Sequence, residues 1–154
     1  MRVRVLSTAI GRGLAALALV LLVASRPARA DDGLVLIRNA KNPTASLSVA
    51  AAAKLFTGRT KVWSDGSVVQ PVLLDGGSKE FKWLAGRVFG IAPRELLSKM
   101  KQEVFRGEMR RPIVVSASAD CAAAVARKAG AIGVVDAATA KALPAGVAII
   151  KLDH

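Results

Sequence analysis

Apolar positions fall in two periods along this chain, and the alternation between them marks out its elements. Residues 34–37, Leu-Val-Leu-Ile, form a short continuous apolar run that reads as a buried strand. Polar residues and Pro43 then break the pattern over residues 39–44, which predicts a loop. Val49 to Phe56 carries helical spacing, with Ser46 or Ser48 ahead of it as an N-cap and Gly58 behind it as the stop. Its four alanines, Ala50 to Ala53, give a small face suited to close packing on a sheet. Residues 60–66 read as a turn in which Asp65 and Gly66 make the bend and Trp63 plugs the edge of a core.

Residues 68–74 alternate too little for a half-exposed strand, so both faces of that strand are expected to be covered. Phe81, Leu84, Ala85 and Val88 then recur at helical spacing between Ser78 and Gly90. Pro93 opens a third helix, carrying Leu96, Leu97, Met100 and Val104 to about Phe105. A polar, basic linker spans residues 106–112. Beyond it, residues 113–115, 132–135 and 147–152 read as strands, with helices at 118–128, capped by Ser118, and at 137–143. Strands alternating with helices predict an α/β fold, a three-layer single domain.

The first thirty residues stand outside this pattern. Arg2, Arg4 and Arg12 precede an apolar run from Leu14 to Ala24, and Ala28-Arg29-Ala30 precedes Asp31, the three parts of a secretory signal. Eleven apolar residues make a helix of about 17 Å, short of the roughly 30 Å that a bilayer core requires. The expectation is therefore a signal peptide at 1–30, cleaved after Ala30, and an exported domain at 31–154. Removing the leader's five arginines lowers the formal net charge from +12 to +7.

The remaining basic residues are spread along the chain, with one local cluster at Arg106, Arg110 and Arg111. Four phenylalanines without interleaved basic-aromatic motifs supply no stacking platform, and with an export signal this argues against nucleic acid as a partner. Cys121 is the only cysteine, so no intrachain disulfide can form, and His154 is the only histidine. A Ser-His-Asp arrangement would depend on that last residue, and zinc would lack its usual ligands. No enzyme, metal site or cofactor is predicted.

The candidate chemistry lies at Asp75, Gly76, Gly77 and Ser78, where a strand runs through a glycine turn into a helix. Backbone N-H groups and a hydroxyl at a helix start can receive a small anion. Ser78 is also a natural N-cap, and the same two readings apply to Ser46 and Ser48. Arg106, Arg110 and Arg111 are the candidate source of a guanidinium, whose fork suits two oxygens of an oxyanion.

The order of these pieces resembles a known family. Asn42-Pro43, Ser46-Leu47-Ser48, Leu55-Phe56-Thr57-Gly58, Trp63-Ser64-Asp65-Gly66, Val104-Phe105-Arg106-Gly107 and the run from Gly130 to Val135 look like the periplasmic phosphate-binding proteins of ABC transporters. The likeness covers nearly all of the chain after residue 33 and is closest to short members that keep one lobe of a type II periplasmic binding protein. It implies a periplasmic solute-binding protein for phosphate or a similar oxyanion, at Gly76, Gly77, Ser78, Ser46 and Ser48. Its implied partners are the membrane component of an ABC transporter or a second copy. The alternative is a one-lobe protein-interaction module that has lost its small ligand. The sequence departs from the family at the turn itself: Leu74 stands where the family has arginine, and Lys79-Glu80 where it has Gly-Thr.

Overall fold

The computed structural model describes residues 33–154, so the predicted leader at 1–30 lies outside the described residues. Among the described residues, six strands and five helices follow in the order β1 (Val35–Asn39), β2 (Ser46–Ser48), α1 (Val49–Phe56), β3 (Gln70–Leu74), α2 (Lys79–Trp83), α3 (Pro93–Phe105), β4 (Ile113–Val115), α4 (Ser118–Arg127), β5 (Ala131–Val135), α5 (Ala137–Lys141) and β6 (Val147–Asp153). α2 continues as a π-helical stretch, Leu84–Phe89, before Gly90 ends it with φ +64°. Phe81, Leu84, Ala85 and Val88 stay on the buried face, as their spacing predicts.

One sheet holds all six strands in the order β2-β6-β1-β5-β3-β4. β1 is antiparallel to both of its neighbours, and every other pairing is parallel, so five strands point one way and β1 points back. The crossovers that parallel pairing demands are supplied by the helices. α1, α2 and α3 cover one face over Leu36, Leu73, Ile132, Val134 and Ile150. α4 and the region of α5 cover the other over Ile37, Val72, Leu74, Ala131 and Val135. This is the three-layer α/β domain that the pattern predicts. Successive side chains of β3 and β5 enter opposite cores, which is why neither strand alternates.

Several boundaries differ from the sequence reading, each for a local reason. Ser46 and Ser48 were read only as alternative caps of the first helix; Ser48 does cap α1, and Ser46, Leu47 and Ser48 also pair with Lys151, Leu152 and Asp153 as an edge strand too short to carry a periodic signal. β3 begins at Gln70; Val68 makes only an isolated bridge to Val62 across the Asp65-Gly66 turn. Pro71 is tolerated because β4 pairing begins one residue later, at Val72, leaving only β5 beside it. Trp63 is buried as expected and donates its indole N-H to the Gly130 carbonyl at 3.0 Å. In the basic linker, Met109 is buried in the larger core.

Gly130 joins the turn to the sheet. Its carbonyl also accepts the Gln70 N-H at 2.9 Å, and a Cβ there would lie 1.8 Å from the Val68 backbone oxygen. Gly130→Ala is therefore expected to destabilise the fold by more than about 2 kcal/mol in urea melts. Gly86→Ala, whose Cβ would meet nothing within 4 Å, should be neutral or slightly stabilising in the same measurement.

Candidate ligand-facing edge of the sheet

With five strands codirectional, their carboxyl ends gather along one edge, which carries Ser48, Ser78 and Ser118 but not Ser46. Ligands of open α/β sheets bind outside the carboxyl ends of strands. Residues 75–78 follow β3, residues 116–117 follow β4, and Asp136 follows β5. Ser48 lies on the same edge at the end of β2, but three strands lie between β2 and β3, four spacings or about 19 Å. Ser46 and Ser48 are thus not brought to Ser78. Ser48 caps α1, accepting the Ala51 N-H at 3.2 Å, while Ser46 sits at the start of β2 and caps nothing.

The glycine turn forms as read, and its polar groups are largely engaged with one another. Asp75 Oδ1 accepts the Gly77 N-H at 2.8 Å, and the Asp75 carbonyl accepts both the Ser78 N-H at 3.0 Å and the Ser78 hydroxyl at 2.7 Å. Ser78 Oγ in turn accepts the Phe81 N-H at 3.1 Å, so it caps α2. The Lys79 and Glu80 N-H groups are the first two of the helix, which have no intrahelical acceptor. Leu74, in the family's arginine position, is buried in the α4-side core.

Next to this turn lies a polar cluster that sequence reasoning missed. Glu80 is 5% exposed and accepts a hydrogen bond from the Ser118 hydroxyl at 2.7 Å. Ser118 Oγ also accepts the Asp136 N-H at 3.0 Å. Ser118 was expected to cap α4; instead Ala117 occupies the cap position and the hydroxyl turns inward. In the sequence Glu80 stands out only as part of the Lys79-Glu80 departure from the family pattern, and no spacing rule links residues 80, 118 and 136. Two short strand-to-helix turns in register, after β4 and β5, were the only available signal.

Asp136 caps α5 by accepting the Thr139 N-H at 2.9 Å and pairs with Lys79 Nζ at 3.2 Å. The Thr139 backbone and hydroxyl, then Lys79, hold its carboxyl below the usual aspartate value of 3.8. The one lysine at the turn is therefore already partnered, and Asp75, Glu80 and Asp136 make the surroundings acidic. Arg111, a candidate guanidinium, stands at the opposite end of β3 and β4, about 16 Å from Asp75 along the strands. Cys121 is buried beneath β3 and β5, and burial pushes its thiol up to about 12, which leaves it unreactive. Among the described residues, no group of three or more His, Cys, Asp or Glu side chains could hold a metal ion.

Five codirectional strands with one reversed among them, helices on both faces and polar turns at the carboxyl edge make a three-layer α/β domain that resembles one lobe of phosphate-binding protein structures. No family model and no curated protein matches the chain. Solved phosphate-transport proteins share its fold. PstS from Borrelia burgdorferi is 16% identical, with a TM-score of 0.59 over 79% of this chain and 47% of that one. An ABC-type phosphate transport receptor from Vibrio cholerae is 14% identical, with a TM-score of 0.57 over the same shares. A Clostridium perfringens protein described as a phosphate ABC transporter substrate-binding protein, solved with bound phosphate, is 19% identical, with a TM-score of 0.61 over 79% of this chain and 45% of its own. The chain spans just under half the length of these structures, and what it shares with them is the fold.

Two outcomes test the polar cluster. Ser118→Ala leaves the Glu80 carboxylate and the Asp136 N-H buried without their partner and should cost about 1 to 3 kcal/mol in urea melts. Because the folded-state pKa of Asp136 is depressed, its contribution is present above the unfolded carboxylate value and is lost as pH falls through the folded one. The stability difference between wild type and Asp136→Asn should thus be largest near neutrality and shrink as pH falls through the depressed folded-state pKa, followed by thermal melts across the acid range.

Proposed function

We propose that this chain is an exported solute-binding-type protein whose ligand-facing surface is the carboxyl edge of the sheet. Its solute on this reading is phosphate or a similar small oxyanion. The observation that carries it is the fold shared with phosphate-transport binding proteins, together with a Gly76-Gly77-Ser78 turn at the carboxyl end of β3. The Ser78 hydroxyl would exchange its bond to the Asp75 carbonyl for one to the anion. The Lys79 and Glu80 N-H groups and the Lys79 ammonium would add to it. The leader at 1–30 would direct the chain to the periplasm, where the membrane component of an ABC transporter is the implied partner. On this reading the protein performs no chemistry on what it binds.

The same residues set the expected strength. Leu74 removes the guanidinium fork, and Glu80 and Asp136 repel an incoming anion, so binding should be weak. Calorimetric titration of the purified protein with phosphate and then sulfate at moderate salt tests this. Saturable binding is expected in the wild type, and its loss in folded Ser78→Ala. Asp136→Asn keeps an α5 cap but frees Lys79, so it should bind several-fold more tightly. An absence of saturable heat from folded wild type and Asp136→Asn alike would sink the oxyanion and turn attention to a protein partner.

A further inference from the structure

β4 ends the sheet, pairing with β3 on one side only. Beside it, on the face that carries α1 to α3, lies an apolar groove of about 520 Å³ with Leu73, Phe81 and Met100 among its lining. α3 leaves the outer part of this groove uncovered: Val114, at the centre of β4, is 66% exposed, and Phe105, at the end of α3, is 93% exposed. The groove is also polarised. Asp75 lies at the end nearest the carboxyl edge, and Arg111 at the other. The groove touches the glycine turn only at Asp75 and Gly76 and does not depend on any bound solute.

We propose that this edge is a homodimer interface, in which β4 of a second copy pairs antiparallel with β4 about a two-fold axis near Val114. A fitting occupant must be extended, apolar in the middle and cationic where it meets Asp75. Arg111-Pro112-Ile113-Val114-Val115 has that pattern, and each groove is accompanied by one such segment on the other copy. Antiparallel pairing turns the Arg111 end of each copy toward the Asp75 end of the other, whereas parallel pairing would set Arg111 beside Arg111. The arrangement is self-complementary, as a two-fold interface must be. Ile113, Val114 and Val115 are all β-branched and carry none of the inward charge that guards a solitary edge. Pro112, which lacks an N-H, lies outside the paired residues. Facing Val114 side chains would then be within about 5.5 Å at Cβ.

Sedimentation velocity on the purified protein, between about 1 and 100 µM, the range of a modest interface, reads the proposal directly. The wild type should associate reversibly to a dimer. Val114→Lys should sediment as a monomer throughout, with an unchanged circular dichroism spectrum because the side chain is exposed. Val114→Cys should form a disulfide-linked dimer under mild oxidation, while Ser98→Cys, on the exposed surface of α3, should not. Cys121 is buried and does not compete. A wild type that stays monomeric over this range, or a dimer that Val114→Lys leaves intact, overturns the proposal and assigns the groove to a partner of different sequence.

Discussion

One hydroxyl ties the carboxyl edge of the sheet together. Ser118 Oγ donates to Glu80 and accepts from the Asp136 N-H, so it links the starts of α2, α4 and α5, three turns that follow three adjacent strands. The bond is made in a buried setting, where an unpaired carboxylate is costly and a partnered one is rigidly placed. Asp136, fixed in this way, can both cap α5 and hold Lys79. The position of the glycine turn relative to its neighbours thus follows from a contact that involves none of the turn's own residues.

That contact also governs what the edge can bind. An oxyanion at the start of α2 would have to draw Lys79 away from Asp136 and take the Ser78 hydroxyl from the Asp75 carbonyl. It would do so beside a buried carboxylate that the helix start already accommodates. Hydrogen bonds to charged groups are worth about 1.5 to 3 kcal/mol each, so a lysine shared with an aspartate is a weak substitute for the bidentate arginine that the resembled family carries where this chain has Leu74. The fold is shared with phosphate-transport binding proteins, while the charges around the turn are arranged to hold the domain's own loops.

Most of the fold was legible because it rests on local rules. The cap at Ser78, a cap of α1 by Ser46 or Ser48, the stop at Gly90, the proline start of α3 and the doubly covered β3 were read from spacing and residue type alone. What escaped were features set by distant partners. β2 is three residues long and exists because β6 runs beside it; nothing in Ser46-Leu47-Ser48 demands a strand. Ser118 looks like a cap because caps are the usual role of serine before an alanine-rich helix, yet Glu80, 38 positions earlier in sequence, claims its hydroxyl. The turn at 75–78 was found for the same reason that α2 was found. Its internal hydrogen bonds and the Lys79–Asp136 pair, which decide its chemistry, become visible only once β3 and β5 lie side by side.

The two surfaces that the fold leaves open differ in direction as well as in chemistry. The carboxyl edge faces along the strands, and the β4 edge faces across them. Antiparallel pairing of two β4 strands reverses one copy relative to the other, so the two carboxyl edges point to opposite ends of the joined sheet. Such a dimer cannot close one Ser78 turn over another, and it does not rebuild a two-sided cleft from two copies. Any second wall for a solute must therefore come from a different surface. On the proposed pairing the two surfaces meet at Asp75, which holds the Gly77 N-H and the Ser78 hydroxyl and also faces Arg111 of the second copy, so a charge at Val114 would remove the pairing while a change at Asp75 would disturb both.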